Sequence, residues 1–341
     1  MDILFFSRGR GRGHAIPDAA IMGEVAQIRP GLEWALASYA TGSKTFKSLG
    51  YDVYDLDLPE ENPFLATVIN TYKLIEKCHP RFVVAHEEPA ALVAAKLMQV
   101  PSIFITDWFV SDTTILMQPL AYSDSILFLE NRGVFDEPSY AGGKVQYMGP
   151  LMRKMSYTRE DRSRAREELD LSKEGLVIAC LPGGWATEAR APIADLMLSA
   201  FNQLLQTDKK LFWIAGCDTD SLIKKTKDRD DVVVMEQLWP IEQLLVASDA
   251  VITKGNRGTI MEAAYLGIPS VSLSHGLNSV EEFLVPRIGS NHALRVKGLT
   301  PEHLAICIEN QLRRSKTDFL PRPVVVPASA VALALIARLG F

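Results

Sequence analysis

Short apolar runs alternate with longer amphipathic segments along almost the whole chain. Several of the runs, such as Ile3–Phe6, Phe82–Ala85 and Leu176–Leu181, are continuously apolar. Continuous apolar runs indicate strands that are buried on both faces, as in a parallel sheet covered by helices on both sides. Because helical segments separate them throughout, the pattern predicts an α/β fold built from two doubly wound, Rossmann-like domains.

Strand and domain positions follow from this pattern. In the first half the predicted strands are Ile3–Phe6, Glu33–Tyr39, Asp52–Leu56, Phe82–Ala85, Ser102–Ile105 and Ile126–Leu129. In the second half they are Leu176–Leu181, Leu211–Ala215, Val232–Met235, Ala250–Thr253 and Ser270–Leu273. Gly149 and Pro150 interrupt the pattern, so a domain boundary is predicted there. The expected domains are residues 1–150 and 151–325, followed by a closing helix in residues 326–341.

The stretch from Asp249 to Pro269 carries the strongest indication of chemistry. A short apolar strand runs into a polar turn that contains glycine, and a helical segment follows. Backbone N–H groups and the dipole at the start of a helix favour an anion such as phosphate. Lys254 adds a cation, and Glu262 lies where a carboxylate can accept from ribose hydroxyls. The pattern favours a nucleotide diphosphate site; the alternative is an ordinary turn with a solvated lysine and a surface glutamate.

The same stretch resembles the donor-site motif of GT-B glycosyltransferases. Lys254-Gly255-Asn256 stands where the UDP-glycosyltransferase superfamily has His-Gly-Gly, and Thr259, Glu262, Gly267 and Pro269 hold matching places. The N-acetylglucosaminyltransferase that makes lipid II also carries a cation near this point. The resemblance implies a GT-B fold with two domains facing a central cleft. It also implies an inverting, metal-independent transferase that takes its sugar from a UDP- or dTDP-sugar and needs no other cofactor.

The resemblance further implies which residues bind the donor. The donor-binding residues within the Asp249–Pro269 stretch are Lys254, Gly255, Asn256, Arg257, Gly258, Thr259 and Glu262. Those from other turns are Gly13, Gly183, Gly184, Gln237, Leu238 and Asn278. Gly183 and Gly184 either offer N–H groups to the diphosphate or simply form a tight turn, and Gln237 and Leu238 border the nucleobase. The acidic residue and glutamine that read the donor sugar in these families are missing, so the sugar stays undefined.

An arginine- and glycine-rich loop, residues 8–14, follows the first strand and ends at His14. Histidine is the side chain best suited to accept a proton near neutral pH. Gly13-His14-x-x-Pro17 resembles the Gly-His-x-x-Pro of GT-B transferases, which implies that His14 is the base at the acceptor hydroxyl. Without the resemblance, a structural or solvated histidine is the simpler interpretation. The three arginines either bind an anionic acceptor or the leaving diphosphate, or belong to a solvated loop.

Carboxylates at other strand ends are candidates to support His14. A carboxylate can orient a histidine and raise its basicity, and Glu87, Glu88 and Asp107 all follow predicted strands of the first domain. Acids in the first turn of a helix are also common for reasons unrelated to catalysis. The predicted catalytic set is therefore His14 with Glu87, Glu88 and Asp107. Two Asp-x-Asp triplets, residues 55–57 and 218–220, are discounted as metal sites because such spacing is frequent by chance.

The composition limits the classes of partner that we expect. The net charge of −5 predicts no general attraction to nucleic acid. The four cysteines are widely spaced, as in reduced cytoplasmic proteins, and no run is long and apolar enough to span a bilayer. The amino terminus lacks the features of a signal peptide. We therefore expect a cytoplasmic protein whose acceptor is a small or lipid-linked molecule, with peripheral membrane contact left open.

Other functions fit the same patterns. A hydrolase or epimerase of nucleotide sugars would use the same donor site, with water or the sugar itself in place of the acceptor. A non-catalytic nucleotide-sugar sensor would bind the donor without turnover and would not need His14.

Overall fold

The computed structural model describes residues 1–10, 13–58, 63–109, 115–182, 191–214, 219–235, 241–274, 288, 291–317 and 323–340. The chain forms two compact units. The first unit comprises Met1–Lys154 and Val324–Phe341, and the second comprises Met155–Pro323. The closing segment of the chain thus belongs to the first unit.

Parallel strands form the centre of each unit. The first sheet contains β1 (Ile3–Ser7), β2 (Trp34–Ser38), β3 (Tyr54–Asp55), β4 (Phe82–His86), β5 (Ser102–Thr106), β6 (Ser125–Phe128) and β7 (Val145–Tyr147). A short strand, β8 (Leu151–Met152), follows it. The second sheet contains β9 (Leu176–Leu181), β10 (Lys209–Ile214), β11 (Val232–Met235), β12 (Ala250–Lys254), β13 (Ser270–Ser274) and β14 (Asn291–Arg295). The last strand, β15 (Val326–Pro327), pairs with β8.

Helices connect the strands of both sheets. The α-helices of the first half of the chain are α1 (Ala15–Ile28), α2 (Ala40–Ser48), α3 (Pro63–Cys78) and α4 (Pro89–Leu97). The later ones are α5 (Arg162–Glu168), α6 (Ala191–Asn202), α7 (Thr219–Thr226), α8 (Ile241–Ala247), α9 (Arg257–Tyr265), α10 (Pro301–Thr317) and α11 (Ala328–Arg338). Short 3-10 helices occur at Ile115–Tyr122, Ser139–Ala141 and Arg159–Asp161. Within the described residues, no helix combines the length and apolar character needed to cross a membrane.

The two sheets share one strand order over six strands, and the first has a seventh strand at its edge. The first runs β3-β2-β1-β4-β5-β6-β7 and the second runs β11-β10-β9-β12-β13-β14. In each sheet the order reverses between two central neighbours, β1 and β4 in the first and β9 and β12 in the second. A doubly wound sheet opens a crevice at the carboxyl ends of the strands where its order reverses, and ligands bind there. We call these two places the first and second switch points.

Both faces of the first sheet are covered. Alternate residues of a strand point to opposite faces, and Ile3 and Phe5 join a core with α1, whereas Leu4 and Phe6 join a core with α3 and α4. Helix α11 completes the α1 side through its buried residues, Ala328, Val331, Ala332, Leu335 and Ile336. Full burial of one such valine or leucine side chain contributes roughly 1.5–3 kcal/mol. The closing helix therefore stabilises the helix that begins directly after His14.

The predicted strands overlap β1–β6 and β9–β13, whereas β7, β8, β14 and β15 were not predicted. Of these, β7 and β14 lie at the edges of the two large sheets. All three residues of β7 are half-buried, and in β14 only Asn291 is buried. An edge strand with polar or half-exposed residues does not present the continuous apolar run on which the prediction depends.

Candidate functional site

Backbone strain lies at the carboxyl edge of the first sheet. Ala40 and Glu87 have φ angles of 47° and 53°, in the left-handed region, and they lie two residues and one residue after the ends of β2 and β4. Such conformations cost of order 1–3 kcal/mol for a residue other than glycine, and they occur most often at functional sites. His79, Gln99 and Asp170 also have positive φ, but each follows the end of a helix, where a left-handed residue is an ordinary terminator.

The turn after β1 is fixed by close backbone packing. A Cβ atom at Gly9 would lie 2.0 Å from the carbonyl oxygen of Tyr39, so only glycine fits. The Gly42 N–H donates to the Gly9 carbonyl at 2.9 Å, and the Arg8 N–H donates to the His86 carbonyl at 3.1 Å. The turn is thus held by α2 on one side and by the end of β4 on the other.

The histidine that pairs with a carboxylate is His86. Its Nδ1 lies 2.5 Å from Oδ1 of Asp18, and both side chains are buried. Asp18 lies one helical turn after His14, and its backbone N–H donates to the His14 carbonyl at 3.0 Å. The rings of His14 and His86 meet edge to face, with centroids 5.1 Å apart and planes at 88°. His14, His86 and Asp18 therefore form one cluster at the first switch point.

Two polar atoms of this cluster have no hydrogen-bond partner among the described residues. They are Nδ1 of His14 and Oδ2 of Asp18, and both atoms are buried. Buried polar atoms without a partner are rare and costly to leave unsatisfied. The ring of His14 thus retains hydrogen-bonding capacity.

Burial and neighbouring charge give the two histidines different pKa values. Burial lowers the pKa of His14 well below 6.5, and the nearby His86 and Arg8 lower it further. Burial would also lower the pKa of His86, but the charge and hydrogen bond of Asp18 outweigh it and raise the pKa of His86 above 6.5. At neutral pH His14 is therefore uncharged, whereas His86 retains a proton to higher pH than an ordinary histidine.

Glu87 contacts the end of β5. Its carboxylate accepts hydrogen bonds from the Thr106 hydroxyl, from Trp108 Nε1 at 2.9 Å and from the Asp107 N–H at 3.3 Å. The Arg8 guanidinium lies 3.9 Å from it. Burial and the charge of Asp107 raise the pKa of Glu87, and Arg8 opposes that rise. These contacts tie the end of β4 to the end of β5.

Glu88 is held instead by Tyr39, the residue directly before α2. Its carboxylate accepts from the Tyr39 hydroxyl at 2.9 Å. Burial raises the pKa of Glu88, although the hydrogen bond from Tyr39 and the charge of Arg8 oppose it. Burial and the Glu88 charge raise the pKa of Tyr39 in turn. Asp107, the last of the predicted acids, is half-buried at the end of β5, and its charge acts on His86 and Glu87.

The prediction and the structure thus differ in which groups meet His14. The structure brings His14, Glu87, Glu88 and Asp107 to one sheet edge, as expected. The hydrogen bonds of Glu87 and Glu88 go to other residues, and the ring beside His14 belongs to His86. Sequence reasoning missed Asp18 and His86. A signal existed for both, because residues four apart share a helix face and His86 ends the strand that pairs with β1.

The second switch point has a different local structure. Lys254, half-buried, ends β12, and the Gly255 N–H donates to the Leu273 carbonyl at 3.1 Å. Asn256 is the N-cap of α9, and its side-chain oxygen accepts from the Gly258 N–H at 3.2 Å. Asparagine is among the residues most favoured at this position. The side chain of Asn256, predicted to bind the donor, therefore caps the helix, and it already accepts from one of the N–H groups that a phosphate would use.

Helix α9 is packed on one side and accessible on the other. Ile260, Met261, Ala263 and Ala264 are buried. Arg257, Thr259 and Glu262 are half-buried, and Gly258 is exposed. The helix thus presents a cation, a hydroxyl and a carboxylate within its first two turns. Of the predicted donor residues, Gly183, Gly184, Gln237, Leu238 and Asn278 lie outside the described residues, and Gly13 is exposed with no heavy atom within 4 Å of the position of a Cβ.

Comparisons with known proteins identify the fold. No protein-family model matches the chain. Lipid-A-disaccharide synthase of Azoarcus sp. (strain BH72) is 27% identical over 205 residues, which cover 57% of this chain. The match spans 51%, about half, of that relative's length.

Several solved structures match almost the whole chain, among them the following two. MurG of Acinetobacter baumannii superimposes with a TM-score of 0.68 at 13% identity, covering 99% of this chain and 100% of MurG. The UDP-GlcNAc 2-epimerase of Neisseria meningitidis, solved with UDP-GlcNAc bound, gives a TM-score of 0.71 at 13% identity and covers 99% of this chain and 100% of the epimerase. The resemblance stated from the sequence motifs is confirmed at the level of the fold. The chain has the GT-B fold of glycosyltransferases such as MurG.

Proposed function

We propose that this protein is a glycosyltransferase that moves a sugar from a nucleotide diphosphate sugar to an acceptor hydroxyl, with inversion and without a metal ion. One observation carries the proposal: the two switch points of a GT-B fold hold complementary groups. The first holds a neutral histidine that can accept a proton, and the second holds Lys254 beside the amino end of a helix.

The donor binds at the second switch point in this proposal. Lys254 and the dipole of α9 balance the diphosphate charge, and the carboxylate of Glu262 accepts from the ribose hydroxyls. The donor is a UDP- or dTDP-sugar, in line with the resemblance of the Lys254–Pro269 motif. The same groups stabilise the negative charge that grows on the diphosphate as it leaves.

The acceptor reacts at His14. The acceptor oxygen attacks the anomeric carbon on the face opposite the diphosphate, so a new C–O bond forms as the bond to the diphosphate breaks. His14 takes the proton that the hydroxyl loses. A group that is neutral at the working pH is needed for this step, and the lowered pKa of His14 keeps it neutral. The acceptor is a small molecule or a lipid-linked sugar; the name of the lipid-A-disaccharide synthase relative supports the second.

A panel of UDP- and dTDP-sugars, read by thermal shift, tests the first part of the proposal. A ligand at 100 times its Kd stabilises a folded protein by about 2.7 kcal/mol, so one donor is expected to raise the melting temperature clearly. The free nucleotides serve as controls for recognition of the sugar. A panel in which no nucleotide sugar stabilises the protein would contradict the proposal.

Product analysis then separates transfer from the alternatives. With the binding donor and candidate acceptors, mass spectrometry is expected to show a product heavier by one glycosyl residue, together with the free nucleoside diphosphate. Without an acceptor, transfer predicts an unchanged donor. Free sugar would indicate a hydrolase, a changed sugar configuration an epimerase, and an unchanged donor with every acceptor a sensor.

A further inference from the structure

We propose that the buried pair of His86 and Asp18 positions His14: it fixes the orientation of the His14 ring, and its shared proton sets the pH at which His14 becomes charged. This inference rests on the proposed function, in which His14 is the base. It replaces the expectation that Glu87, Glu88 or Asp107 supports the histidine directly.

Geometry is the first argument. Asp18 is fully buried and His86 nearly so, and their 2.5 Å contact fixes the His86 ring. The His86 ring then meets the His14 ring edge to face, an arrangement that aromatic rings favour. Asp18 is also held to His14 through the helix backbone. The His14 ring is thus constrained from its own helix and from the neighbouring strand.

Charge is the second argument. The carboxylates that act on His86 are Asp18 from α1, Glu87 next in the chain, and Asp107 from the end of β5. The ring of His14 lies against His86 as well. All three carboxylates favour a protonated His86. A positive charge on His86 opposes a second one on His14, and Arg8 acts on His14 in the same direction. The pair therefore holds a proton while His14 stays able to accept one.

Substitution of Asp18 tests the effect of its negative charge separately from the effect of its size and hydrogen bonding. Asp18→Asn retains an oxygen that can accept from His86 Nδ1 but removes the negative charge. Burial then lowers the pKa of His86 against only the charges of Glu87 and Asp107, so His86 gives up its proton at a lower pH than in the unmodified protein. The pKa of His14 rises where His86 is neutral, because one repelling charge is gone. The acid limb of the plot of kcat/KM against pH is therefore expected to move to higher pH in this variant.

Substitution of His86 removes the ring itself. His86→Gln is expected to lower kcat by about 10- to 100-fold, the usual result of a misplaced reacting group, with the KM for the donor unchanged. Ile75→Ala is the control for general destabilisation, because Ile75 is buried in the core on the other face of the same sheet. The control is expected to leave both the KM and the pH limb unchanged.

Imidazole NMR of protein labelled with ¹⁵N-histidine provides a readout that needs no turnover. In the unmodified protein the resonances of His14, assigned with His14→Ala, are expected to titrate below pH 6.5 and those of His86 above it. In the Asp18→Asn and His86→Gln variants, the pH at the midpoint of the His14 titration is expected to rise.

Specific outcomes overturn the inference. One is that His86 titrates at a lower pH than His14 in the unmodified protein. The other is that the midpoint of the His14 titration and the acid limb of kcat/KM are unchanged in both variants. If the variants do not fold, the order of titration in the unmodified protein decides alone. A failure of the proposed function is distinguishable, because the unmodified protein would then transfer no sugar.

Discussion

The two units of this protein have sheets with the same strand reversal, yet the chemistry at their switch points differs. At the first, His86 and three carboxylates are buried, His14 lies half-buried beside His86, and the backbone is strained at Ala40 and Glu87. At the second, a half-buried lysine and a capped helix present polar groups at the surface of the unit. In doubly wound folds the topology sets the place where a ligand binds, and the residues at the strand ends set the chemistry at that place.

Burial explains the difference. A buried charged group must be paired or give up its charge, so the acids of the first switch point are fixed by specific partners, such as Tyr39 for Glu88. Lys254 is only half-buried, so water reaches it and its charge costs less to keep than a buried one. The first switch point is thus suited to proton transfer, and the second is suited to holding an anion.

The largest expected effect tests the first switch point. His14→Ala is expected to lower kcat by about 10²- to 10⁴-fold with the donor affinity nearly unchanged, because proton transfer belongs to the transition state. Initial rates and calorimetry measure the two quantities. In the unmodified protein, kcat/KM should be flat with pH near neutrality and fall only well below pH 6.5, where His14 becomes charged and can no longer accept a proton. Nearly normal turnover in a folded variant would reject the assignment of His14.

The next effect tests the second switch point. Glu262→Ala is expected to weaken donor binding by roughly 1.5–3 kcal/mol, since a charged hydrogen-bond partner of the ribose is lost. Calorimetric titration with the donor measures it, and an unchanged melting temperature shows that the fold is intact. Glu160→Ala, at an exposed position of the same unit, is the control. Equal donor affinities in the two variants would remove Glu262 from the site.

A pair of glycines tests how firmly the first switch point is built. Gly9→Ala is expected to destabilise the protein by about 1–3 kcal/mol, because the added Cβ would overlap the Tyr39 carbonyl. Gly13→Ala, in the same loop, has nothing within 4 Å of its Cβ and should change stability by less than about 0.5 kcal/mol. Thermal denaturation compares the two. Equal melting temperatures would show that the turn after β1 is not held as described.

The smallest expected effect concerns metal ions. Activity is expected to be unchanged in EDTA, because Lys254 and the helix dipole of α9 supply the positive charge that faces the diphosphate. Rates measured with EDTA, and again after addition of Mg²⁺ or Mn²⁺, provide the test. Loss of turnover that either ion restores would contradict the metal-free reaction and return attention to Asp55 and Asp57.

The apolar runs were sufficient to predict two doubly wound domains, because they depend on local order along the chain. The GT-B fold itself was inferred from the resemblance of the Lys254–Pro269 and Gly13–Pro17 motifs to those of known transferases. The sequence also indicated that Lys254, Asn256 and Glu262 lie at a strand–turn–helix junction. It could not show that Asn256 would cap the helix rather than remain available, since both roles suit asparagine. The contact between His86 and Asp18 was missed because it depends on which strands are neighbours and on the rotation of α1 about its axis, neither of which is local.

The position of α11 has a consequence for how the protein is made. Its residues Val331, Ala332 and Leu335 share a core with Ile21 and Met22 of α1. During synthesis the first unit emerges from the ribosome early, yet this core is incomplete until the last helix has followed the entire second unit. Contacts between such distant parts of a chain form slowly. Release of a nascent chain before α11 would therefore leave α1, and the histidine that precedes it, on an unfinished apolar surface exposed to chaperones and proteases.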